Sequence, residues 1–266
     1  MNRGSTFNPS ANDILSSSRL KDKDSLATLE EKRLFKQTVG QLGWVTSISR
    51  PEGSFAFCLL STKQSNPTMR DFTRLKKEVR ELKTIDSWMK IGKLDFSNLH
   101  VAVYCDASFG SLEGGASQVG FIVFLQDQNS RSVPITWASR KAKRVARSSL
   151  TAETLAAVEA IDFAMVVQQA TEELIKKKLP PIKLYTDNKS LHDATKTTNT
   201  LADKRLLIDM AALREMIEEK QVEVIWISSK EQLADVLTKP GVCKRSLTEV
   251  LANGSLKPVT SSSHSQ

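Results

Sequence analysis

The order of apolar segments in the second half of the chain is the feature that most limits its fold. Val101–Cys105 is β-branched and aromatic, as strands are, and Gln118–Leu125 and Ser132–Ala138 are two further strand-like runs. A long helical pattern at Leu150–Leu174 follows, and strand and helix patterns then alternate. Three strands followed by this alternation predict an α/β domain, a five-stranded mixed sheet with helices on its faces. The later elements are expected at Ile182–Thr186 and Val222–Ile227 (strands) and at about Asn188–Ala194, Ala202–Lys220, Glu231–Thr238 and Lys244–Leu251 (helices).

The region before this domain is basic, and its pattern is helical. Leu29–Ile48 and Met69–Leu82 carry apolar residues at helical spacing, whereas the short apolar run Phe55–Leu60 fits a helix or a strand. Residues 1–28 have no sustained periodicity and predict a disordered or loosely packed N-terminus. The expected organisation is therefore that N-terminus, a small α-helical region at 29–95, the α/β domain at 99–240, a C-terminal helix at 241–256 and a mobile tail at 257–266.

Charge and composition restrict the class of partner. The 266 residues carry a formal net charge of +8, which favours a polyanion such as nucleic acid, although a solvated basic surface explains it equally well. The three cysteines and three histidines are scattered, which argues against a zinc finger or a zinc-dependent deaminase. The N-terminus lacks the apolar centre of a secretory signal, and long apolar runs are absent from the sequence. We expect a cytoplasmic or nuclear protein that is neither secreted nor bound to a membrane.

Two aspartates follow strand patterns that resemble each other. Asp106 comes directly after Val101–Cys105 and Asp187 directly after Ile182–Thr186, and a tyrosine precedes each acid by two residues. If the two strands are parallel neighbours, both acids lie at one edge of the sheet, where open α/β sheets hold ligands. Each also has an ordinary explanation, as a turn residue at a strand end or as the N-cap of the next helix.

Two further acids stand among apolar residues. Glu153 lies on the helical stripe formed with Ala157, Ile161, Ala164 and Met165, which should face the sheet, and carboxylates are seldom buried without a partner. The alternative is an acid favoured by the helix dipole. Asp235 lies on a short apolar helix pattern, where it could simply be the polar residue of an amphipathic helix.

Taken together, the four acids indicate a metal site. Clustered carboxylates repel one another unless a cation neutralises them, and oxygen ligands suit magnesium, with manganese as the alternative. Two such ions can stabilise the attacking and leaving oxygens of a phosphodiester displacement, so that a water replaces a protein nucleophile. We therefore expect Asp106, Glu153, Asp187 and Asp235 to bind two magnesium ions and to be catalytic.

A basic segment, Ser139–Ser148, precedes the helix pattern that carries Glu153. A segment of this kind beside a metal site is typical of proteins that bind nucleic-acid backbones, because phosphate contacts supply affinity independent of sequence. A solvated loop is the alternative. The candidate nucleic-acid contacts of the basic segment are Arg140, Lys141, Lys143, Arg144 and Arg147.

Four short motifs contain the four acids: Tyr104–Ser108, Ser148–Glu153, Tyr185–Asn188 and Gln232–Asp235. In order, they are similar to the four catalytic segments of the ribonuclease H domain in copia-type LTR retrotransposon polyproteins, and the resemblance covers about residues 99–240. Upstream, Leu34–Trp44, Ser49–Pro51 and Leu60–Pro67 resemble the segment that follows the reverse transcriptase palm, which would make residues 29–95 a thumb or connection remnant.

The resemblance implies a ribonuclease H-like fold and cleavage of the RNA strand of RNA–DNA hybrids. It implies that the four acids are the metal ligands and that Ser108, Ser149 and Asn188 contact the hybrid together with the basic segment. The expected partners are the hybrid and the polymerase region of such a polyprotein. The chain is expected to be a C-terminal piece or a truncated copy of one.

The sequence departs from the wider family in two respects. Ile227–Gln232 lacks the histidine that ribonucleases H often carry before the last acid, so what replaces it is open. The sequence contains no Asp-Asp dipeptide, so a polymerase site is not expected. The rival interpretations are a catalytically inert nucleic-acid-binding module and another nuclease of the same fold, such as an integrase core or a resolvase. An integrase would usually bring an upstream His/Cys zinc module, which this sequence lacks.

Overall fold

The computed structural model of the protein describes residues 23–84, 88–197 and 203–257. The chain divides into two compact units, Met1–Trp88 and Met89–Gln266. The predicted loose N-terminus, up to residue 22, and the predicted mobile tail, from residue 258, lie outside the described residues. No helix in the described part of the chain is both long and apolar enough to cross a membrane.

The first unit is helical, as expected. It contains α1 (Leu29–Ile48), α2 (Ser54–Ser61) and α3 (Met69–Thr84), so the ambiguous apolar run near Phe55 is a helix. Thr28 and Glu31 form a reciprocal capping box that fixes the start of α1. The apolar stripes of α1 and α3 bury residues such as Phe35 and Phe72, whose rings meet edge to face with centroids 5.0 Å apart.

The second unit contains a five-stranded mixed sheet. Its strands are β1 (Leu99–Ser108), β2 (Gln118–Asp127), β3 (Ser132–Lys141), β4 (Ile182–Thr186) and β5 (Val222–Trp226), in the order β3-β2-β1-β4-β5. β1 pairs antiparallel with β2, and β2 with β3, whereas β1–β4 and β4–β5 are parallel. This sheet, flanked by helices and preceded by a helical region, confirms the predicted fold class.

Helices and turns cover both faces of the sheet. The helices are α4 (Ser149–Ile175), α5 (Lys189–Lys196), α6 (Lys204–Glu218) and α7 (Arg245–Asn253). α4 and α6 bury an apolar core against one face, where small residues such as Ala156 and Ala160 let α4 approach the strands closely. The other face packs against α7 and the short turn that contains Leu237.

Two predicted strand boundaries were wrong in ways that affect the site. β1 continues to Ser108, so Asp106 lies within the strand, paired with Gly120 of β2, and not after it. β3 continues to Lys141, so the basic segment begins inside a strand. In both places, pairing with β2 outweighs the local preference for a turn.

The predicted helix at Glu231–Thr238 is instead two 3₁₀ turns, Ser229–Glu231 and Leu233–Leu237. Gln232, between the turns, has extended backbone angles. Its side chain accepts a hydrogen bond from the Ala234 N–H and donates one to the Cys105 carbonyl, which holds the segment to β1 and prevents a continuous helix.

Candidate active site

The register of β1 and β4 brings two of the acids to one end of the sheet. Tyr104 pairs with Tyr185 across the parallel strands, and their rings stack with centroids 4.6 Å apart. Asp106 and Asp187 each lie two residues beyond these tyrosines. The two strands are parallel neighbours, so the condition for both acids to lie at one edge of the sheet is met. Asp106 is buried, and Asp187 is half-buried at the end of β4.

A close backbone contact places the turn Leu233–Leu237 against β2. A Cβ atom added at Gly120 would lie 2.7 Å from Leu237 Cβ and 3.2 Å from the Leu237 carbonyl carbon, so only glycine leaves room here. The Ser139 hydroxyl donates to the Leu237 carbonyl at 2.5 Å. Because Gly120 pairs with Asp106, this packing brings the residues after the turn to that aspartate.

Thr238 and Lys239 contact both oxygens of Asp106. The Thr238 hydroxyl donates to Asp106 Oδ2. Lys239 Nζ lies 3.1 Å from Asp106 Oδ1 and 2.6 Å from Asp235 Oδ1, so one ammonium bridges two of the predicted acids. Burial raises the pKa of Asp106 to about 6, against the opposing effects of Lys239 and Thr238.

Glu153 approaches the same place from α4, whose first turn is capped by the Ser148 hydroxyl. Its stripe with Ala157, Ile161 and Ala164 is buried against the sheet, as predicted. Met165, which was expected on the same stripe, is instead 39% exposed. Burial, reinforced by repulsion from Asp106 and Asp187, raises the pKa of Glu153 to about 9. Its Oε2 atom is buried and accepts no hydrogen bond from the described residues.

Asp187 is held from the side of β5. Its Oδ2 accepts a hydrogen bond of 2.6 Å from the Ser229 hydroxyl, and its backbone carbonyl accepts one of 3.1 Å from the Trp226 indole. The carboxylate therefore has a fixed position on the partly exposed side of the cluster.

The four acids interact, but they are not assembled as a ready metal-binding group. Asp106 and Asp235 share Lys239, and Glu153 is affected electrostatically by Asp106 and Asp187. Within residues 23–84, 88–197 and 203–257, no group of three or more His, Cys, Asp or Glu side chains is arranged so that it could hold a metal ion as it stands. The donor set still fits a hard cation, because it is made of carboxylate oxygens and one of them, Glu153 Oε2, is buried without a partner.

The basic segment consists of two kinds of side chain. Arg140 forms an ion pair with Glu159 and lies over the Phe163 ring, 5.4 Å from its centroid, while Arg144 donates to both carboxylate oxygens of Asp209 at 2.9 Å. The remaining three, Lys141, Lys143 and Arg147, are exposed. The exposed residues are better placed than the paired arginines to reach a phosphate.

The predicted polar contacts occupy the ends of elements near the acids. Ser108 is the last residue of β1 and Ser149 is the exposed first residue of α4. Asn188 caps α5, where its side-chain oxygen accepts from the Leu191 N–H at 2.9 Å. Their contact with nucleic acid stays a prediction.

Sequence reasoning missed Gly120, Ser229, Thr238 and Lys239. Two signals were available. An isolated glycine inside a strand pattern often marks a close backbone approach, and Lys239 follows Asp235 by four residues, a spacing at which side chains meet.

No protein-family model matches the chain. The retrovirus-related Pol polyprotein from transposon RE2 of Arabidopsis thaliana is 30% identical over 210 residues, which cover 77% of this chain and 14% of that polyprotein. The transposon Ty1-LR3 Gag-Pol polyprotein of Saccharomyces cerevisiae is 33% identical over 156 residues, 58% of this chain and 8% of that polyprotein. The chain is homologous to the Pol polyproteins of Ty1/copia-type retrotransposons. The family expected from the four motifs is confirmed, and the chain spans only a small part of the length of these relatives.

Among solved structures, the N-terminal RNase H domain of a Mycobacterium tuberculosis protein aligns with 53% of this chain and 91% of its own. The TM-score is 0.39 and the sequence identity 12%. The strand order and the directions of pairing described above carry the assignment of the fold.

Proposed function

We propose that this Pol-type chain is a metal-dependent endonuclease that hydrolyses the RNA strand of RNA–DNA hybrids during retrotransposon reverse transcription. The observation that carries the proposal is the convergence of Asp106, Glu153, Asp187 and Asp235 from four separate segments on one end of the sheet. A structural role for so many acids is disfavoured, because Glu153 is buried with an unpaired oxygen and clustered carboxylates repel one another.

In this proposal the four carboxylates hold two magnesium ions, and manganese could replace them. Bound divalent ions supply charge stabilisation and an activated water at neutral pH. Glu153 and Asp106 must be ionised to bind a cation, so their raised pKa values couple cation binding to proton release. The short helix-capping and turn contacts at Ser148, Ser229 and Gln232 keep the segments that carry the acids in place.

The proposed substrate contacts come from the basic segment and the element ends. Lys141, Lys143 and Arg147 would bind phosphates without regard to sequence, with Arg140 and Arg144 contributing once released from their acidic partners. Ser108, Ser149 and Asn188 are the polar side chains proposed to recognise the 2′-hydroxyls that distinguish RNA from DNA. A polymerase region supplied in trans should lower the hybrid concentration needed for half-maximal cleavage.

The second candidate is an inert nucleic-acid-binding module. One observation favours it: among the described residues no group of three acids is arranged to hold a metal, and Lys239 already neutralises part of the cluster. Such a module would bind hybrid equally well with magnesium or with a chelator.

Cleavage of a hybrid labelled on its RNA strand separates the two candidates. The protein, shown to be folded by circular dichroism, is incubated with and without magnesium, beside duplex DNA and duplex RNA. Magnesium-dependent loss of the hybrid's RNA strand alone is the expected result. Binding without cleavage, in magnesium and in manganese, would establish the inert module instead.

A further inference from the structure

Lys239 contacts two members of the acidic cluster through its ammonium group. Its Nζ atom lies within hydrogen-bonding distance of Asp106 Oδ1 (3.1 Å) and of Asp235 Oδ1 (2.6 Å). The same two carboxylates are proposed ligands of divalent ions, so the ammonium engages oxygens that such an ion would need.

This arrangement differs from an ordinary surface ion pair. Asp106 is only 1% exposed, and its second oxygen is bound by Thr238, the residue next to Lys239. The backbone that carries both residues is fixed by the contact of Leu237 with Gly120 and by the hydrogen bond from Ser139. A buried carboxylate with both oxygens engaged from one rigid segment has a built-in counter-ion.

We infer that Lys239 competes with divalent cations for Asp106 and Asp235, so that it lowers the affinity of the site and prevents it from filling at low metal concentration. The inference rests on the proposed function, because it takes the acids to be metal ligands. Lys239 is thus a positioning residue, and metal binding requires its ammonium to leave at least one carboxylate. Since the two cations exclude each other, the apparent affinity for the metal equals the affinity of the free acids multiplied by the fraction of molecules in which the acids are free.

Two consequences have opposite signs, which separates competition from a purely structural role. Removing the ammonium leaves Asp106 buried without a cation, so the metal-free protein should melt at a lower temperature. Removing the competitor should also make Mn²⁺ bind more tightly, by about tenfold if the ion pair is formed in nine of ten molecules. A residue that only supported the fold would weaken both stability and metal binding.

The experiment is a Mn²⁺ titration of the whole chain, followed by the electron paramagnetic resonance signal of free Mn²⁺, together with melting temperatures in chelator. Lys239→Met removes the charge and Lys239→Arg keeps it. Lys93→Met, an exposed lysine before the start of β1, removes one charge at a distance from the site. Asp106→Asn reports whether the Mn²⁺ that binds is held by the acidic cluster.

The expected result is tighter Mn²⁺ binding and a lower metal-free melting temperature for Lys239→Met, with Lys239→Arg and Lys93→Met close to the unaltered protein. Mn²⁺ affinity that is unchanged or weaker in a folded Lys239→Met protein would overturn the inference, as would equal tightening by Lys239→Arg. If Asp106→Asn binds as much Mn²⁺ as the unaltered protein, the acidic cluster is not the metal site, and the proposed function itself fails.

Discussion

The two ends of the β1–β2 ladder hold buried aspartates in opposite chemical settings. At one end Asp127 pairs with Leu99, and near the other end Asp106 pairs with Gly120. Both carboxylates are at most 2% exposed. They differ in the groups that surround them, and the difference separates an acid that supports the fold from an acid available for chemistry.

Asp127 is surrounded by donors. It accepts hydrogen bonds from the backbone N–H groups of Asp95, Asn129 and Arg131 at 2.9–3.0 Å and from Arg131 Nε at 2.7 Å. Burial alone would raise the pKa of Asp127, but these hydrogen bonds hold it below its usual value. At the other end, burial raises the pKa of Glu153 and Asp106, and Glu153 Oε2 has no donor. Saturation with N–H groups ties a loop to the sheet, whereas the missing donor at Glu153 leaves a carboxylate oxygen that an external cation could satisfy.

The largest expected difference is between asparagine substitutions of the two aspartates. Asp106→Asn should lower hybrid cleavage by about a thousandfold or more, because it removes a charge needed in the transition state. It should cost little stability, because it also relieves repulsion within the acidic cluster. Asp127→Asn should keep the cleavage rate but lower the free energy of unfolding by about 1 to 3 kcal/mol, because N–H donors lose a charged acceptor. Cleavage rates and urea unfolding in chelator measure both. Substantial activity in folded Asp106→Asn would contradict the assignment of the site.

Gly120→Ala tests whether the Asp106 end depends on backbone contact. The added methyl would press on Leu237, at 2.7 Å from its Cβ, and should cost about 1 to 3 kcal/mol of unfolding free energy. Cleavage should fall too, because the turn that carries Asp235 must move. Gly92→Ala is the matched control, since nothing lies within 4 Å of a Cβ added there. Equal stability of the two variants would show that the turn is free to shift.

Much of this architecture follows from local patterns. The alternation of strands and helices predicted the sheet, and the stripe on α4 correctly predicted that Glu153 is buried with Ala157 and Ile161. The repeated Tyr-x-Asp pattern placed both aspartates at one edge only on the condition that their strands are parallel neighbours, and the pairing of β1 with β4 meets that condition.

The parts that could not be predicted depend on distant segments. Nothing local shows that Lys239 lies against Asp106, 133 residues earlier, since only the packing of the turn on Gly120 brings them together. Arg140 was expected in a solvated or phosphate-binding loop. It lies instead in β3, where strand pairing places it beside Glu159 and Phe163. Side-chain partners set by sheet register are not visible in the order of residues along the chain.

The raised and lowered pKa values predict opposite pH dependences at the two ends. The pKa of Glu153 rises from 4.5 to about 9 on folding, so its contribution to stability is present below about pH 4.5 and is lost as pH rises towards 9. In chelator, the free energy of unfolding of Glu153→Gln should therefore rise relative to that of the unaltered protein between about pH 5 and 9. The difference should reach about 1 to 2 kcal/mol. The pKa of Asp127 is lowered, so its stabilising effect is present above its usual value and lost in acid. Asp127→Asn should therefore lower the free energy of unfolding more at neutral pH than near pH 3. If the change in unfolding free energy followed the same pH dependence in both variants, the comparison would be contradicted.

The smallest effect concerns the positive charge, which also distinguishes the two ends. Lys141, Lys143 and Arg147 are exposed at the Asp106 end, where Lys141 pairs with Gln118 opposite Ser108. Replacing all three with Ala should weaken hybrid binding and reduce the slope of log affinity against log salt concentration by about 2 to 3, because each phosphate contact contributes about 0.9.

The matched control is a triple alanine variant at the other end of the sheet, Lys93, Lys177 and Lys183, which removes the same charge. Equal slopes for the two triple variants would mean that net charge, and not the segment beside the acids, attracts the hybrid. A flatter slope for the first alone would place the phosphate contacts at the Asp106 end. Substrate binding and the unpaired Glu153 oxygen would then lie at the same end of the ladder, while at the other end Asp127 holds its loop to the sheet.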